Sequence, residues 1–249
     1  MSYPVALAEL ALFLDVDGTL IDIASSPTAV VVPAGLVELL GGLADRCDGA
    51  LALLSGRPIQ DIDALFRPLK LPVGGVHGAE MRMQRDGTID RPMPSTELRT
   101  VTAALSRKLP TLQGIVMENK GVAVAVHYRA APQLATEVLE LVRRTCDEHG
   151  GNLEVMEGKH VLEIRSRGVN KGTAMARFMA VPPFAGRKPV MVGDDITDVD
   201  GFRIATALGG GALRVGNAEG RWQETPRFRS PAEVRAWLAL LLRDDGAAV

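Results

Sequence analysis

Three short apolar runs, each ending in polar residues, constrain the fold of this 249-residue chain more than any other feature. The runs are Leu10–Leu14, Ala50–Leu54 and Pro189–Val192, and stretches with helical spacing lie between them. A continuous apolar run of this length is typical of a strand that is buried on both faces of a parallel sheet. The pattern therefore predicts an open α/β sheet, in which ligands bind at the carboxyl ends of the strands.

The middle of the chain has a different pattern. A predicted helix is followed by two predicted strands, and the same order then occurs a second time. Along Val122–Arg129, residues alternate with the period of two that is expected of a half-exposed strand. This arrangement fits an antiparallel sheet with helices on one face. We therefore predict a core formed by residues 1–79 and 167–249, and an α+β domain of residues 80–166 inserted into it.

The overall composition gives no reason to expect a large charged partner. Lys and Arg total 28, Asp and Glu total 30, and the net charge is −2, so we expect neither nucleic acid nor a membrane as partner. No apolar run approaches the ~20 residues of a membrane span, and a signal peptide is not expected. Cys47 and Cys146 form no CxxC pair and fit a reducing compartment. We expect a cytoplasmic protein that acts as a monomer.

Two carboxylates follow the first apolar run, in the sequence Asp15-Val-Asp17-Gly-Thr. Alone, this pattern is more typical of a turn or a calcium loop, but Ser26 stands where a twelve-residue calcium loop needs a glutamate. At the end of a buried strand, Asp15 could attack phosphorus as a nucleophile near Mg²⁺. Asp17 could protonate the leaving oxygen and later deprotonate the attacking water. A second acid is needed because the two half-reactions require opposite proton transfers.

Further polar groups stand at other strand ends and at a helix start. Ser55 ends the second run, where its hydroxyl could bond a phosphate oxygen or, alternatively, its own backbone. Lys171 follows a good N-cap, Asn170, and its unfavourable position relative to the helix dipole indicates a nearby anion. Three acids follow the third run, where a hard cation would find the oxygen ligands that it prefers. These acids are Asp194, Asp195 and Asp198.

In this order, the motifs resemble those of haloacid-dehalogenase (HAD) phosphatases, and the inserted domain resembles the C2-type cap of that superfamily. Other segments resemble the trehalose-6-phosphate phosphatase family. These segments are Leu-Ser-Gly-Arg57, Gly75-Val-His-Gly-Ala-Glu80, His127-Tyr-Arg129, Gly158-Lys159 with Val161 and Glu163, and Gly168-Val-Asn-Lys-Gly172. The resemblance extends from about Leu12 to Arg243, and it implies an α/β, Rossmann-like HAD core with a parallel sheet plus an inserted α+β cap.

The resemblance also implies how the carboxylates divide the chemistry. Asp15 would be the nucleophile and a ligand of Mg²⁺. Asp17 would be the acid and base, and a metal ligand through its main-chain carbonyl, and Asp194 would be the third protein ligand. Asp195 and Asp198 would orient the site.

The remaining site residues would bind the substrate. Ser55 and Lys171 would hold the phosphoryl oxygens. The residues expected to contact the sugar are Arg57, Glu118, Lys120, Arg129, Lys159 and Glu163. Charges on an exposed sheet face are otherwise commonly only solvated. The implied reaction is the Mg²⁺-dependent hydrolysis of trehalose 6-phosphate in trehalose biosynthesis.

Two alternatives remain open at this point. The first is a phosphatase for another sugar phosphate, such as sucrose 6-phosphate or a mannosyl phosphoglycerate, which would use the same chemistry. The second is a non-catalytic protein in which Asp15 accepts a phosphoryl group as a signal. Receiver domains have such an aspartate but no acid two residues later, so Asp17 favours turnover.

Overall fold

The computed structural model describes residues 6–24, 29–149, 151–158, 160–216 and 227–243. The chain divides into two compact units. The larger unit comprises Met1–Asp90 and Asn170–Val249, and the smaller unit comprises Arg91–Val169. No helix among the described residues is both long enough and apolar enough to cross a membrane.

The described strands and helices alternate along most of the chain. The strands are β1 (Leu10–Leu14), β2 (Leu51–Leu54), β3 (Val73–Gly75), β4 (Glu80–Arg82), β5 (Val116–Asn119), β6 (Ala123–His127), β7 (Leu153–Gly158), β8 (Val161–Ser166), β9 (Lys188–Gly193), β10 (Gly211–Val215) and β11 (Arg227–Phe228). The helices are α1 (Leu36–Arg46), α2 (Ile59–Leu65), α3 (Thr96–Lys108), α4 (Ala135–His149), α5 (Lys171–Met179), α6 (Val199–Ala207) and α7 (Pro231–Arg243).

The larger unit is built on a seven-stranded sheet with the order β11-β10-β9-β1-β2-β3-β4. All neighbouring strands are parallel except β3 and β4. Every residue of β1 is buried, as expected of a central strand covered on both faces. The three apolar runs therefore form neighbouring parallel strands, with β1 between β9 and β2. Their carboxyl ends meet at one edge of the sheet. The predicted open α/β sheet is confirmed.

The position of β4 differs from the sequence-based division at residue 80. Residues 80–82 fall within the predicted inserted domain, but they form β4, which pairs with β3 at the edge of the large sheet, with Glu80 opposite Gly75. Arg82 fixes this strand from inside the core. Its side chain is 2% exposed, donates to the carbonyl of Leu71 and forms a bidentate pair with Asp63. The boundaries of the compact units accordingly lie after Asp90 and after Val169.

The smaller unit contains an antiparallel four-stranded sheet with the order β5-β6-β8-β7. One face of the sheet packs on α3 and α4, through Val124, Val126, Leu162 and Ile164 among others. We refer to the opposite face, which carries Glu118, Ala125 and Glu163 in cross-strand register, as the open face. Ala125 is fully buried although the alternation predicted a half-exposed strand. Its two cross-strand neighbours on this face are glutamates, whose side chains are much longer.

Candidate active site

The ends of β1 and β9 bring together the first acids of the site. Asp15 follows β1, is 4% exposed, and donates its backbone N–H to the carbonyl of Val192 on β9 at 2.9 Å. The chain must pass very close to Asp194 at this point. Gly18 has a φ of +81°, and a Cβ added there would collide with the carboxylate of Asp194. A glycine after Asp17 is therefore required by both backbone conformation and space.

A buried lysine joins two of these acids. The Nζ atom of Lys171 donates to Oδ1 of Asp15 and to Oδ1 of Asp198, both at 2.6 Å. Lys171 is the first residue of α5, whose start is fixed by a capping box between Asn170 and Thr173. Burial alone would lower the pKa of Lys171, but the charges of Asp15 and Asp198 raise it above its ordinary value. The lysine is therefore a fixed cation of the site.

The acidic groups have the arrangement of a metal site. Asp15, Asp194 and Asp198 each offer a carboxylate oxygen, and these oxygens all lie within 4.8 Å of one another. Both oxygens of Asp198 are already engaged, because Oδ1 accepts from Lys171 and Oδ2 accepts from the N–H of Asp195 at 2.9 Å. By contrast, Oδ1 of Asp194 is buried and accepts no hydrogen bond from any residue that the structure describes. A cation would satisfy this oxygen.

Electrostatics also favours a divalent cation at this place. Burial raises the pKa of Asp194 to about 6, and the charge of Asp198 adds to the shift. Burial likewise raises the pKa of Asp15 well above its ordinary value, although Lys171 opposes this shift. A cation beside these groups would favour their ionised forms. Carboxylate oxygens are the ligands that Mg²⁺ prefers, so the residues present fit such an ion.

The loop after β2 reaches the second predicted acid. Nε of Arg57 donates to Oδ2 of Asp17 at 2.6 Å, and its NH2 group donates to Oδ1 at 2.7 Å. In the structure, Arg57 thus holds Asp17, a contact that the sequence did not predict. Oγ of Ser55 accepts from the N–H of Arg57 at 3.1 Å, which is the backbone contact that we considered as an alternative. Because the hydroxyl acts there as acceptor, its hydrogen remains suited to a phosphate oxygen.

The open face of the smaller unit groups several of the predicted sugar-binding residues. Nζ of Lys120 donates to Oε2 of Glu163 at 3.3 Å, and Nε2 of His127 lies 2.9 Å from Oε2 of Glu118. The hydrogen bond to His127 lowers the pKa of Glu118. His127 itself was not among the residues that the sequence predicted for the site. The hairpin register of β5 and β6, which brings the two residues to one face, could have indicated this pair.

The two other predicted sugar-binding residues are Arg129 and Lys159. Arg129 is exposed and lies after the end of β6. Lys159 lies outside the described residues. Asp195, predicted to orient the acidic site, is exposed at the start of the short turn before α6, where its Oδ1 accepts from the N–H of Ile196 at 2.7 Å.

Comparison with known proteins gives consistent matches across the chain. The trehalose-phosphatase family model matches residues 13–225. A trehalose-6-phosphate phosphatase of Escherichia coli is 39% identical over 238 residues, which cover 96% of this chain and 88% of that protein. A "Probable trehalose-phosphate phosphatase" of Sinorhizobium fredii is 42% identical over 206 residues, covering 83% of this chain and 77% of its own length.

Solved structures share the same architecture. A trehalose-6-phosphate phosphatase related protein superposes with a TM-score of 0.72 and 25% identity, over 94% of this chain and 97% of that chain. A phosphatase of the HAD superfamily from Bacteroides thetaiotaomicron superposes with a TM-score of 0.63 and 16% identity, over 97% and 96% of the two chains. The second similarity concerns the fold alone. Together with the sheet topology, these matches confirm the α/β HAD fold.

Proposed function

The chain belongs to the trehalose-phosphatase family and is a phosphatase, and we propose that it hydrolyses trehalose 6-phosphate to trehalose and phosphate through an aspartyl-phosphate on Asp15, with Mg²⁺ as cofactor. The observation that carries this proposal is the buried cluster at the ends of β1 and β9. It combines a carboxylate held by Lys171 with the buried Oδ1 of Asp194, which has no hydrogen-bond partner among the described residues. The proposed substrate follows from the relatives in Escherichia coli and Sinorhizobium fredii, since both are described as trehalose-phosphate phosphatases.

Asp15 is the nucleophile in the proposed reaction. Its carboxylate attacks phosphorus, the bond to the sugar oxygen breaks, and an acyl-phosphate forms on the side chain. The contact with Lys171 fixes the carboxylate by one oxygen. Ser55 and Lys171 hold the phosphoryl oxygens. Mg²⁺, held by Asp15, Asp194 and the main-chain carbonyl of Asp17, would offset the repulsion between the nucleophile and the phosphate.

Asp17 handles the protons in both half-reactions. In the first it protonates the departing sugar oxygen, and in the second it takes a proton from the water that hydrolyses the acyl-phosphate. The bidentate contact with Arg57 limits the orientations that the Asp17 carboxylate can adopt. Asp198 and Asp195 support the site, because Asp198 accepts from both Lys171 and the backbone of Asp195.

We assign recognition of the sugar to the smaller unit, as a cap. Trehalose has hydroxyl groups and no charge beyond its phosphate, so its recognition requires side chains that both donate and accept hydrogen bonds. The open face offers such groups in Lys120, Glu118 and Glu163. Arg57, Arg129 and Lys159 complete the proposed set, the last two on the strength of the family resemblance. The predictions of a cytoplasmic location and of a monomer remain part of the proposal.

Phosphate release from trehalose 6-phosphate tests the function. The purified protein with Mg²⁺ should release phosphate and trehalose in equal amounts, and an excess of chelator should stop the release until Mg²⁺ is restored. Failure to hydrolyse this ester under conditions where another sugar phosphate is consumed would contradict the proposed substrate. Full activity in chelator would contradict the metal mechanism.

A further inference from the structure

Strand β3 and the short segment that follows it hold the backbone of the loop that carries Ser55 and Arg57. The N–H of Ser55 donates to the carbonyl of Gly74 at 2.9 Å, and the N–H of His77 donates to the carbonyl of Ser55 at 2.8 Å. The N–H of Val76 donates to the carbonyl of Arg57 at 3.0 Å. The loop is thus fixed at the two residues whose side chains belong to the proposed active site.

The residues that make these contacts have an unusual backbone conformation. Val76 has a φ of 47° and His77 a φ of 56°. This left-handed region is rarely adopted by residues other than glycine, and least by β-branched residues such as valine. Strained conformations persist only where the surrounding structure determines them, and they cluster at functional sites. Here the two strained residues are the ones whose N–H groups reach the loop.

Glu80, at the start of β4, holds the far end of the same loop. Its side chain is 2% exposed, and its Oε2 accepts from the N–H of Ile59 at 2.9 Å. Ile59 is the first residue of α2, and N–H groups in the first turn of a helix have no partner within the helix. The preceding residue, Pro58, provides no side-chain cap. A carboxylate from a strand of the core sheet therefore replaces the usual local cap.

The segment between β3 and β4 also packs against the helix that carries Lys171. A Cβ added to Gly78 would lie 2.7 Å from Cβ of Ala174 and 3.1 Å from the carbonyl oxygen of Asn170. On its other side, a Cβ added to Gly56 would lie 2.6 Å from Nε2 of His77. The segment therefore fits closely between the start of α5 and the loop that carries Ser55 and Arg57.

We propose that Glu80 is a positioning residue for the phosphatase reaction, which fixes the start of α2 and thereby keeps Ser55 and Arg57 in place. Glu80 acts through the backbone of the loop and does not touch the reacting atoms. If the loop shifts, Arg57 no longer orients the carboxylate of Asp17, and Ser55 no longer meets the phosphoryl group. The inference rests on the proposed function, because that function assigns these three residues to the reaction.

Three substitutions of Glu80 separate a positioning role from a general effect on stability. Glu80→Ala removes the acceptor of the Ile59 N–H, and we expect kcat to fall roughly ten- to hundredfold, as misplacement of catalytic groups by about 1 Å can do. Glu80→Gln keeps an oxygen acceptor at the same distance and should restore kcat close to that of the wild type. Glu80→Asp keeps the charge but shortens the side chain, so its kcat should fall even if the alanine variant does not fold.

Asp63→Ala is the matched control. Asp63 also links α2 to β4, through its bidentate pair with Arg82, but among the described residues it makes no hydrogen bond or ion pair with the loop that carries Ser55. We expect this variant to lose thermal stability and to retain kcat per folded molecule. If Asp63→Ala lowers kcat as much as Glu80→Ala does, the effect is a general weakening of the packing between α2 and β4, and the proposal is overturned.

The assay uses trehalose 6-phosphate and p-nitrophenyl phosphate side by side. Because the loop serves the phosphoryl group, which both esters share, Glu80→Ala and Glu80→Asp should lower kcat on both. If the Glu80→Ala and Glu80→Asp variants keep the wild-type kcat on both esters, the inference about Glu80 is overturned, but the proposed function is not. A wild-type protein that hydrolyses neither ester would overturn the proposed function, and the inference with it.

Discussion

At the scale of single residues, the ammonium group of Lys171 between Asp15 and Asp198 is the central contact. Two buried carboxylates without a cation would each lose hydration and would repel one another. Burial raises the pKa of Asp15, and Lys171 opposes that shift, so the lysine favours the ionised form that a nucleophile needs. Its place at the start of α5 is unfavourable to the helix dipole, and the two carboxylates explain why it is tolerated.

The proposed nucleophile, Asp15, provides the first prediction. Asp15→Asn should leave the fold intact and lower the turnover of trehalose 6-phosphate by more than ~10³-fold, because the amide cannot attack phosphorus. Acid-quenched wild-type protein should carry a phosphoryl group detectable by mass spectrometry, and the asparagine variant should carry none. Substantial turnover by a variant verified to be free of deamidation would contradict the role of Asp15.

The proposed Mg²⁺ site provides the second prediction. Asp194→Asn keeps the shape of the side chain but removes a ligand charge, so we expect the Mg²⁺ concentration for half-maximal activity to rise by at least ~10-fold. Asp200→Asn is the control, since Asp200 lies on α6 and pairs with Arg203 outside the acidic group. An unchanged Mg²⁺ requirement in Asp194→Asn, or an equal change in the control, would show that Asp194 is not a ligand.

At the scale of helices and strands, short sequence patterns predict the elements whose formation depends mainly on neighbouring residues. The run Leu10–Leu14 is the buried β1, and Asn170 caps α5 as expected. The position of β4 could not be predicted in this way, because it depends on the distant contacts of Arg82 with Leu71 and Asp63. A strand of three residues carries too short a pattern to show which sheet it joins.

The open face of the smaller unit provides the third prediction. Glu163→Ala should lower kcat/KM for trehalose 6-phosphate roughly ten- to hundredfold, because it leaves a sugar hydroxyl without its partner. Lys159→Ala should act in the same way, as the family resemblance implies for that residue. Hydrolysis of p-nitrophenyl phosphate, which presents no disaccharide to the open face, should change little.

Glu157→Ala is the control for these variants. Glu157 lies on β7 in the same unit and pairs with Arg143 in an exposed ion pair, which contributes little to stability. We expect Glu157→Ala to leave kcat/KM unchanged for both substrates. An equal loss on both substrates in Glu163→Ala would assign Glu163 to the stability of the sheet, and no loss on either would show that the disaccharide is bound elsewhere.

At the scale of the whole molecule, each of the two units has its own hydrophobic core and its own proposed role in the reaction. The larger unit carries the acids, the lysine and the loop of Ser55 and Arg57, whereas the smaller unit carries the other candidate sugar-binding groups. Motifs at the strand ends predicted which residues form the candidate active site. They could not predict the pair between Arg57 and Asp17, because those residues are 40 positions apart and meet only when β1 and β2 align.

The most direct test of the account is the specificity of the wild-type enzyme among sugar phosphates. Values of kcat/KM should be measured with Mg²⁺ for trehalose 6-phosphate, sucrose 6-phosphate and mannosyl-3-phosphoglycerate. We predict that trehalose 6-phosphate exceeds each of the others by at least ~100-fold, as expected of a site whose polar groups match the hydroxyls of one sugar. Equal values, or a preference for another ester, would contradict the assignment of trehalose 6-phosphate as the substrate.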